Sequence, residues 1–269
     1  MAVDYDELKE GSRGVWSLGN YAELARLIEP AATAVVDACA ISAGQEVLDV
    51  AAGNGNAALA AAREGAAVVA SDLTPAMLEL GGERSEAEGL DIEWVEADAE
   101  ELPFEDDRFD CVVSVFGAML APRPERVAAE LFRVGRPGAA IGMANWTPDG
   151  FQGRNFAIGN RYAPGPEEVP PSAEWGRPEV VEERFAGLAA RVDFETRSMR
   201  FEFESPEVMG EWFERNLGPA VAARRAMPAR VQEAVDAEMM NLVAEFNSAT
   251  DGSVAIDGEY LLVVARKRG

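Results

Sequence analysis

The sequence predicts an α/β fold: a doubly wound, mostly parallel seven-stranded sheet with helical cap insertions. Three observations predict it. Short apolar runs alternate with helical stretches from Glu46 to Trp146. A glycine turn, Gly53-Asn-Gly55, joins the first apolar run to the helix after it. Two further apolar or alternating runs close the chain and complete a set of seven strands.

The elements follow in order. Residues 1–20 are polar, with Trp16 in a Gly-rich stretch, and form an ordered arm. Tyr21 to Ala40 has Leu24, Leu27, Ile28, Val35 and Cys39 at helical spacing, with a break expected at Pro30. Strands are expected at Glu46–Ala51, Ala67–Ser71, Ile92–Glu96, Phe109–Phe116 and Ala139–Trp146. Between them come helices over Asn56–Glu64, Pro75–Glu88 and Glu125–Val134, the second opened by Thr74-Pro75 and the third closed by Arg136-Pro-Gly138. Such alternation requires right-handed crossovers and a parallel sheet. Thr147 to Gly176 is Pro- and Gly-rich and reads as a long loop, followed by a helix from Pro178 to Gly187. Val192–Glu204 and Glu259–Ala265 are the last strands. Between them lie a helix from Ser205-Pro206 to Gly218-Pro219 and another from Ala229 to Phe246. The expected organisation is therefore an arm and helix over 1–44 and a core over 45–269, with caps inserted at about 147–177 and 205–250.

Composition narrows the function classes. The chain has 269 residues, 48% of them hydrophobic, enough for a sizeable core. Acidic residues number 48 and basic residues 24, a formal net charge of −24 that repels nucleic acid and anionic membrane surfaces. No apolar run is long enough to span a bilayer, and Met1 to Glu10 lacks the order of a signal peptide, so a cytoplasmic location is expected. No residue is histidine, which excludes His triads, His bases and His metal sites. Cys39 and Cys111 lie in apolar segments and read as buried thiols. Asp106, Asp107 and Asp110 read as a solvated turn, and no metal site is expected.

The glycine turn fits two ligands. Gly53-Asn-Gly-Asn-Ala-Ala58 matches the dinucleotide pattern, and Asp72 at the next strand end suits ribose hydroxyls. Asp49, four residues before Gly53, separates the two. A carboxylate there opposes a pyrophosphate and suits a ligand that presents a cation. Asp49, Asp72, Asp98, Phe116 and Asn145-Trp146 all fall at or just past strand ends, the edge where open α/β sheets bind ligands.

Asp49-x-Ala51-x-Gly53-x-Gly55 resembles the first motif of class I S-adenosylmethionine (SAM)-dependent methyltransferases. Asp72-Leu-Thr-Pro-Ala-Met-Leu78 resembles their second-strand ribose site. Ala97-Asp-Ala-Glu-Glu-Leu-Pro-Phe104, Ser114-Val-Phe-Gly117 and Arg133-Val-Gly-Arg-Pro-Gly138 are similar to segments of the UbiE-like (type 11) group. Ala139-Ala140 departs from that pattern, where another glycine is common. The resemblance covers about residues 45–145 and implies S-adenosyl-L-methionine as cofactor, with no metal. It implies that Asp49, Ala51, Gly53, Asn54 and Gly55 hold the methionine end and that Asp72 accepts the ribose hydroxyls. It further implies that Asp98 and Ala99 meet the adenine, and that Leu73, Met77 and Phe116 pack on the adenosine and at the strand end. Trp16, Tyr21, Met119, Trp146, Tyr162 and Trp212 are the candidate walls of the acceptor pocket. As a set they point to a small, apolar or aromatic acceptor, and the acidic surface favours a neutral or cationic one. An NAD-dependent oxidoreductase and a non-catalytic SAM-binding protein are the alternatives.

Overall fold

The computed structural model describes residues 3–269, so Met1 and Ala2 of the expected arm lie outside the described residues. Seven strands form one sheet: β1 (Glu46–Val50), β2 (Ala67–Asp72), β3 (Ile92–Glu96), β4 (Phe109–Val115), β5 (Gly135–Trp146), β6 (Ala189–Phe203) and β7 (Val254–Lys267). Their order is β3-β2-β1-β4-β5-β7-β6. The first five run parallel, and β7 is antiparallel to both β5 and β6. The parallel strands read as apolar runs because both faces are covered; Val47, Leu48, Val112, Val113 and Ile141 are buried. The seven-stranded, mostly parallel sheet is thus the expected one.

Among the described residues ten helices flank or cap it: α1 (Tyr5–Trp16), α2 (Tyr21–Cys39), α3 (Asn56–Arg63), α4 (Pro75–Glu88), α5 (Pro124–Val134), α6 (Phe151–Tyr162), α7 (Pro178–Arg184), α8 (Pro206–Asn216), α9 (Gly218–Ala226) and α10 (Ala229–Phe246). α2 approaches β5 so closely that a Cβ on Gly142 would lie 2.3 Å from the Cys39 sulfur. Cys39 and Cys111 are buried, free thiols.

Several elements differ from expectation. Pro30 does not break α2. Proline removes one hydrogen bond, to the Arg26 carbonyl, but both residues face solvent, which satisfies the freed oxygen. Ala31, Ala32, Val35 and Val36 are buried beyond it and hold the helix in place. The stretch expected as a loop at Thr147 to Gly176 contains α6 and a 3-10 turn at Ser172–Gly176. Gly218-Pro219 ends α8 and also opens α9, because proline is tolerated in a first turn. Arg136-Pro-Gly138 lies in the first part of β5 rather than in a turn, and a register shift against β4 accommodates it. Asp106, Asp107 and Asp110 pair with Arg133, Lys267 and Arg136.

The carboxyl ends of β1 to β5 form one rim. α1 and the start of α2 lie over it from one side. α6, inserted after β5, and α8 to α10, inserted between β6 and β7, close it from the other.

Candidate functional site

Three of the five residues after β1 take left-handed backbone: Ala51 (φ 53°), Gly53 (φ 56°) and Gly55 (φ 87°). At Gly53 a side chain would meet open space, so the backbone faces the cavity bare. At Gly55 the requirement is packing. A Cβ there would lie 2.3 Å from Cη2 of Trp94, and Gly55 turns away from the cavity to cap α3. Gly55 thus shapes the loop, whereas Asp49, Ala51, Gly53 and Asn54 line the cavity. Asn54 also ties the loop to the arm, donating to the Tyr21 carbonyl at 3.0 Å.

Two carboxylates face each other across this loop. Asp49 is 1% exposed and accepts the Ala58 N–H at 2.9 Å. Burial, partly offset by that bond, pushes its pKa up to about 8. Asp72 accepts the N–H groups of Gly53 and Thr74, both at 2.8 Å. Burial raises its pKa as well. A carboxylate has about four lone-pair positions, so Asp49, with one donor, retains acceptor capacity.

Leu73, Met77, Asp98 and Ala99 line the next part of the wall. Asp98 is already engaged there. Lys9 of α1 pairs with it and also with Glu100, at 2.6 Å. Arg123 holds Glu100 from the far side at 2.6 Å. Lys9 is not among the expected site residues. Its partners are about ninety positions away, and nothing in the arm's local pattern marks it.

The floor is aromatic. Phe116 (φ 57°) ends β4 in left-handed backbone and stacks flat on Trp146, with centroids 3.8 Å apart and planes at 5°. A bulky residue in that region costs about 1–3 kcal/mol, which marks the turn as constrained. Phe201 and Tyr260 meet this pair edge-on. Trp16 and Tyr21 lie at the arm side, with centroids 5.9 Å apart. The Tyr21 hydroxyl accepts the Gly218 N–H at 3.0 Å, joining α2 to α9, and burial pushes its pKa up to about 12.

Three expected wall residues lie elsewhere. Met119 is buried in the core beneath the loop after β4. Tyr162 is partly buried against the core outside the cavity lining and donates its hydroxyl to Glu238 of α10 at 2.6 Å. Trp212 packs on Phe203 and Phe213, on the side of α8 away from the cavity. Phe156 and Phe213 line the cavity instead.

All these elements enclose one cavity of about 840 Å³. The cap helices contribute stripes at helical spacing: Gln152, Asn155, Phe156 and Gly159 on α6; Met209, Gly210 and Phe213 on α8; Pro219, Ala220 and Ala223 on α9; Val235, Met239 and Val243 on α10. The sheet rim thus carries Asp49, Asp72, Asp98 and bare backbone, and the cap carries mostly apolar surface with Gln152, Asn155, Glu214, Arg224 and Asp236 set into it.

A family model for a methyltransferase domain matches residues 47–138, from β1 through the start of β5. An uncharacterized protein of Mycobacterium tuberculosis is 39% identical over 265 residues, spanning 95% of this chain and 94% of its own length. A demethylmenaquinone methyltransferase of Clavibacter sepedonicus is 44% identical over 108 residues, 40% of this chain and 44% of that protein. The crystal structure of a presumed methyltransferase from Bacillus halodurans superposes with a TM-score of 0.64, at 24% identity, over 88% of this chain and 99% of that one. The matched segment contains the glycine turn, and the family model it fits is of a methyltransferase domain. Residues 47–138 form a methyltransferase domain, and the chain as a whole has the fold of the class I S-adenosylmethionine-dependent methyltransferases.

Proposed function

We propose that this protein transfers the methyl group of S-adenosyl-L-methionine to a small, apolar or aromatic acceptor that is neutral or cationic. The observation that carries the reading is the continuity of this cavity. It joins the Asp49–Gly53–Asp72 rim to an apolar cap without a wall between them. The donor set fits the cofactor. Asp49 suits its ammonium, the bare Gly53 backbone its methionine chain, and Asp72 its ribose hydroxyls. Leu73, Met77 and Ala99 supply an apolar wall for the adenosine.

The cofactor brings an already activated methyl group, so positioning and exclusion of water supply most of what the protein must add. The Phe116–Trp146 stack gives the acceptor a rigid flat floor. Residues of the arm and cap line the cavity around it. No helix among the described residues is long and apolar enough to cross a membrane.

The test is a methyl-transfer screen with quinones, phenols, amines and thiols, read as S-adenosylhomocysteine released. Turnover with at least one class is expected. Cofactor binding without turnover across the panel would instead identify a non-catalytic SAM-binding protein.

A further inference from the structure

Resting on the methyltransferase reading above, we propose that Arg84 is a positioning residue for methyl transfer. It locks the glycine turn, which receives the cofactor's methionine end, to α2, which walls the acceptor side of the cavity. Arg84 lies on α4 and is not part of the cavity lining. Its Nη1 donates to the Asn54 carbonyl at 2.7 Å and to Asn56 Oδ1 at 3.0 Å. It thus grips both asparagines of Gly53-Asn-Gly-Asn56 from behind. The asparagines pass the grip on. Asn54 Nδ2 donates to the Tyr21 carbonyl at 3.0 Å, and Asn56 Nδ2 to the Ala25 carbonyl at 2.8 Å. These carbonyls lie about one turn apart on α2, and Tyr21 and Ala25 both line the cavity. Both asparagines are buried. One guanidinium therefore completes a continuous path of hydrogen bonds from α4 through the cofactor turn to α2.

The use made of the charge is the second argument. In a chain with 48 acidic and 24 basic residues, Arg84 forms no ion pair among the described residues. Burial lowers its pKa, against the pull of Glu29 and Glu88. Both of those carboxylates pair with Arg63 instead, at 3.1 and 2.6 Å. A partly buried guanidinium aimed at a carbonyl and an amide makes charge-assisted hydrogen bonds, which hold a backbone more firmly than neutral ones. The helix that carries it is fixed against the same turn. The Trp94 indole fills the space between them: a Cβ on Gly55 would lie 2.3 Å from its Cη2, and one on Gly81 2.2 Å. Trp94 Nε1 donates to Ser85 Oγ of α4 at 3.3 Å.

The reaction gives this lock its purpose. An in-line displacement needs donor and acceptor held at about 3–3.5 Å and in line, so the cofactor turn and the acceptor wall must keep one relative position. The turn carries two glycines in left-handed backbone and is the part of the rim with the most freedom to lose. Asp72, by contrast, keeps the Thr74 N–H at 2.8 Å whatever the turn does. Loss of Arg84 therefore loosens the methionine end and spares the adenosine end.

Calorimetry with two ligands separates the ends: S-adenosylhomocysteine, and 5′-methylthioadenosine, which lacks the amino-acid end. Arg84→Met keeps the aliphatic stem and removes the donors. It should weaken S-adenosylhomocysteine about tenfold and leave 5′-methylthioadenosine within about twofold. Arg84→Lys keeps a charged donor without the fork and should weaken S-adenosylhomocysteine about threefold; it carries the comparison if Arg84→Met does not fold. Hydrogen exchange on the proteins saturated with S-adenosylhomocysteine reads the link to α2. Exchange should quicken over residues 21–28 in Arg84→Met and stay the same in β5. Unchanged S-adenosylhomocysteine affinity in Arg84→Met, equal losses for both ligands in the folded variants, or unchanged exchange over residues 21–28 overturns the proposal. Failure of the native protein to bind S-adenosylhomocysteine would instead defeat the methyltransferase reading itself.

Discussion

Asp49 is the residue whose chemistry is most changed by the fold. Burial pushes its carboxyl from an ordinary value of 3.8 up to about 8; the Ala58 N–H offsets part of this and the nearby Asp72 carboxylate adds to it. The folded state therefore holds a proton that the unfolded chain has released across that window. Its contribution to stability is full below about pH 4 and is lost as pH rises through 8, at up to about 1.4 kcal/mol per pH unit. Asp72 acts in the same direction, since burial raises it too. Asp49→Asn should flatten part of this slope, as followed by urea unfolding between pH 5 and 8. Ligand binding should run oppositely. A cationic amino group pairs with the ionised form, so S-adenosylhomocysteine affinity should climb toward pH 8 with release of a proton. Calorimetry in buffers of different ionisation enthalpy would count that proton, and the same Asp49→Asn substitution should abolish its release. Asp72→Ala should weaken the same ligand by about 1–3 kcal/mol through lost charge-assisted hydrogen bonds, and unchanged affinity would refute its ribose role.

At the scale of elements, the arm is the least anchored piece. α1 has no buried residue. Polar contacts hold it: Lys9 to Asp98 and Glu100, Arg13 to Glu96 at 3.0 Å, and Arg123 over the Tyr5 ring at 4.8 Å. Lys9→Met removes the best enclosed of these and should loosen α1 by about 2 kcal/mol. Hydrogen exchange should speed up in Tyr5–Trp16 and stay unchanged in β1 and β4; equal protection in α1 would disprove the latch. Lys9 also shows why part of the site is not legible in the sequence. Asp49 and Asp72 can be placed because strand ends and the glycine turn are local patterns. An ion pair between the arm and the loop after β3 leaves no local mark. The same division holds for the helices. α10 is expected at Ala229–Phe246 and lies there, since its apolar spacing is unbroken. α6 is hidden by Gly153, Gly159 and a Pro-rich surround, and its register comes from close packing on Thr147 and Pro148. Tyr162 and Trp212 lie away from their expected places because spacing identifies a helical face without saying which neighbour that face meets.

At the scale of the whole molecule, charge is the dominant feature. With 48 acidic and 24 basic residues, every basic side chain could be paired and as many carboxylates again would remain without a partner. The pairs that do form are mostly half-exposed, such as Arg154–Glu245 and Arg200–Asp257, and each contributes about 0–1 kcal/mol. Repulsion among the excess carboxylates acts over longer distances and destabilises the compact state. Added salt shortens the screening length from about 30 Å at 0.01 M to about 10 Å at 0.1 M. It therefore removes long-range repulsion before it dissolves close contacts such as Arg13–Glu96, at 3.0 Å. The melting temperature should rise with sodium chloride across that range, and potassium chloride should act alike, since screening depends on ionic strength and not on the cation. Differential scanning calorimetry at fixed pH measures this directly. A melting temperature that falls with either salt would mean that local ion pairs, and not net repulsion, govern the stability of this fold.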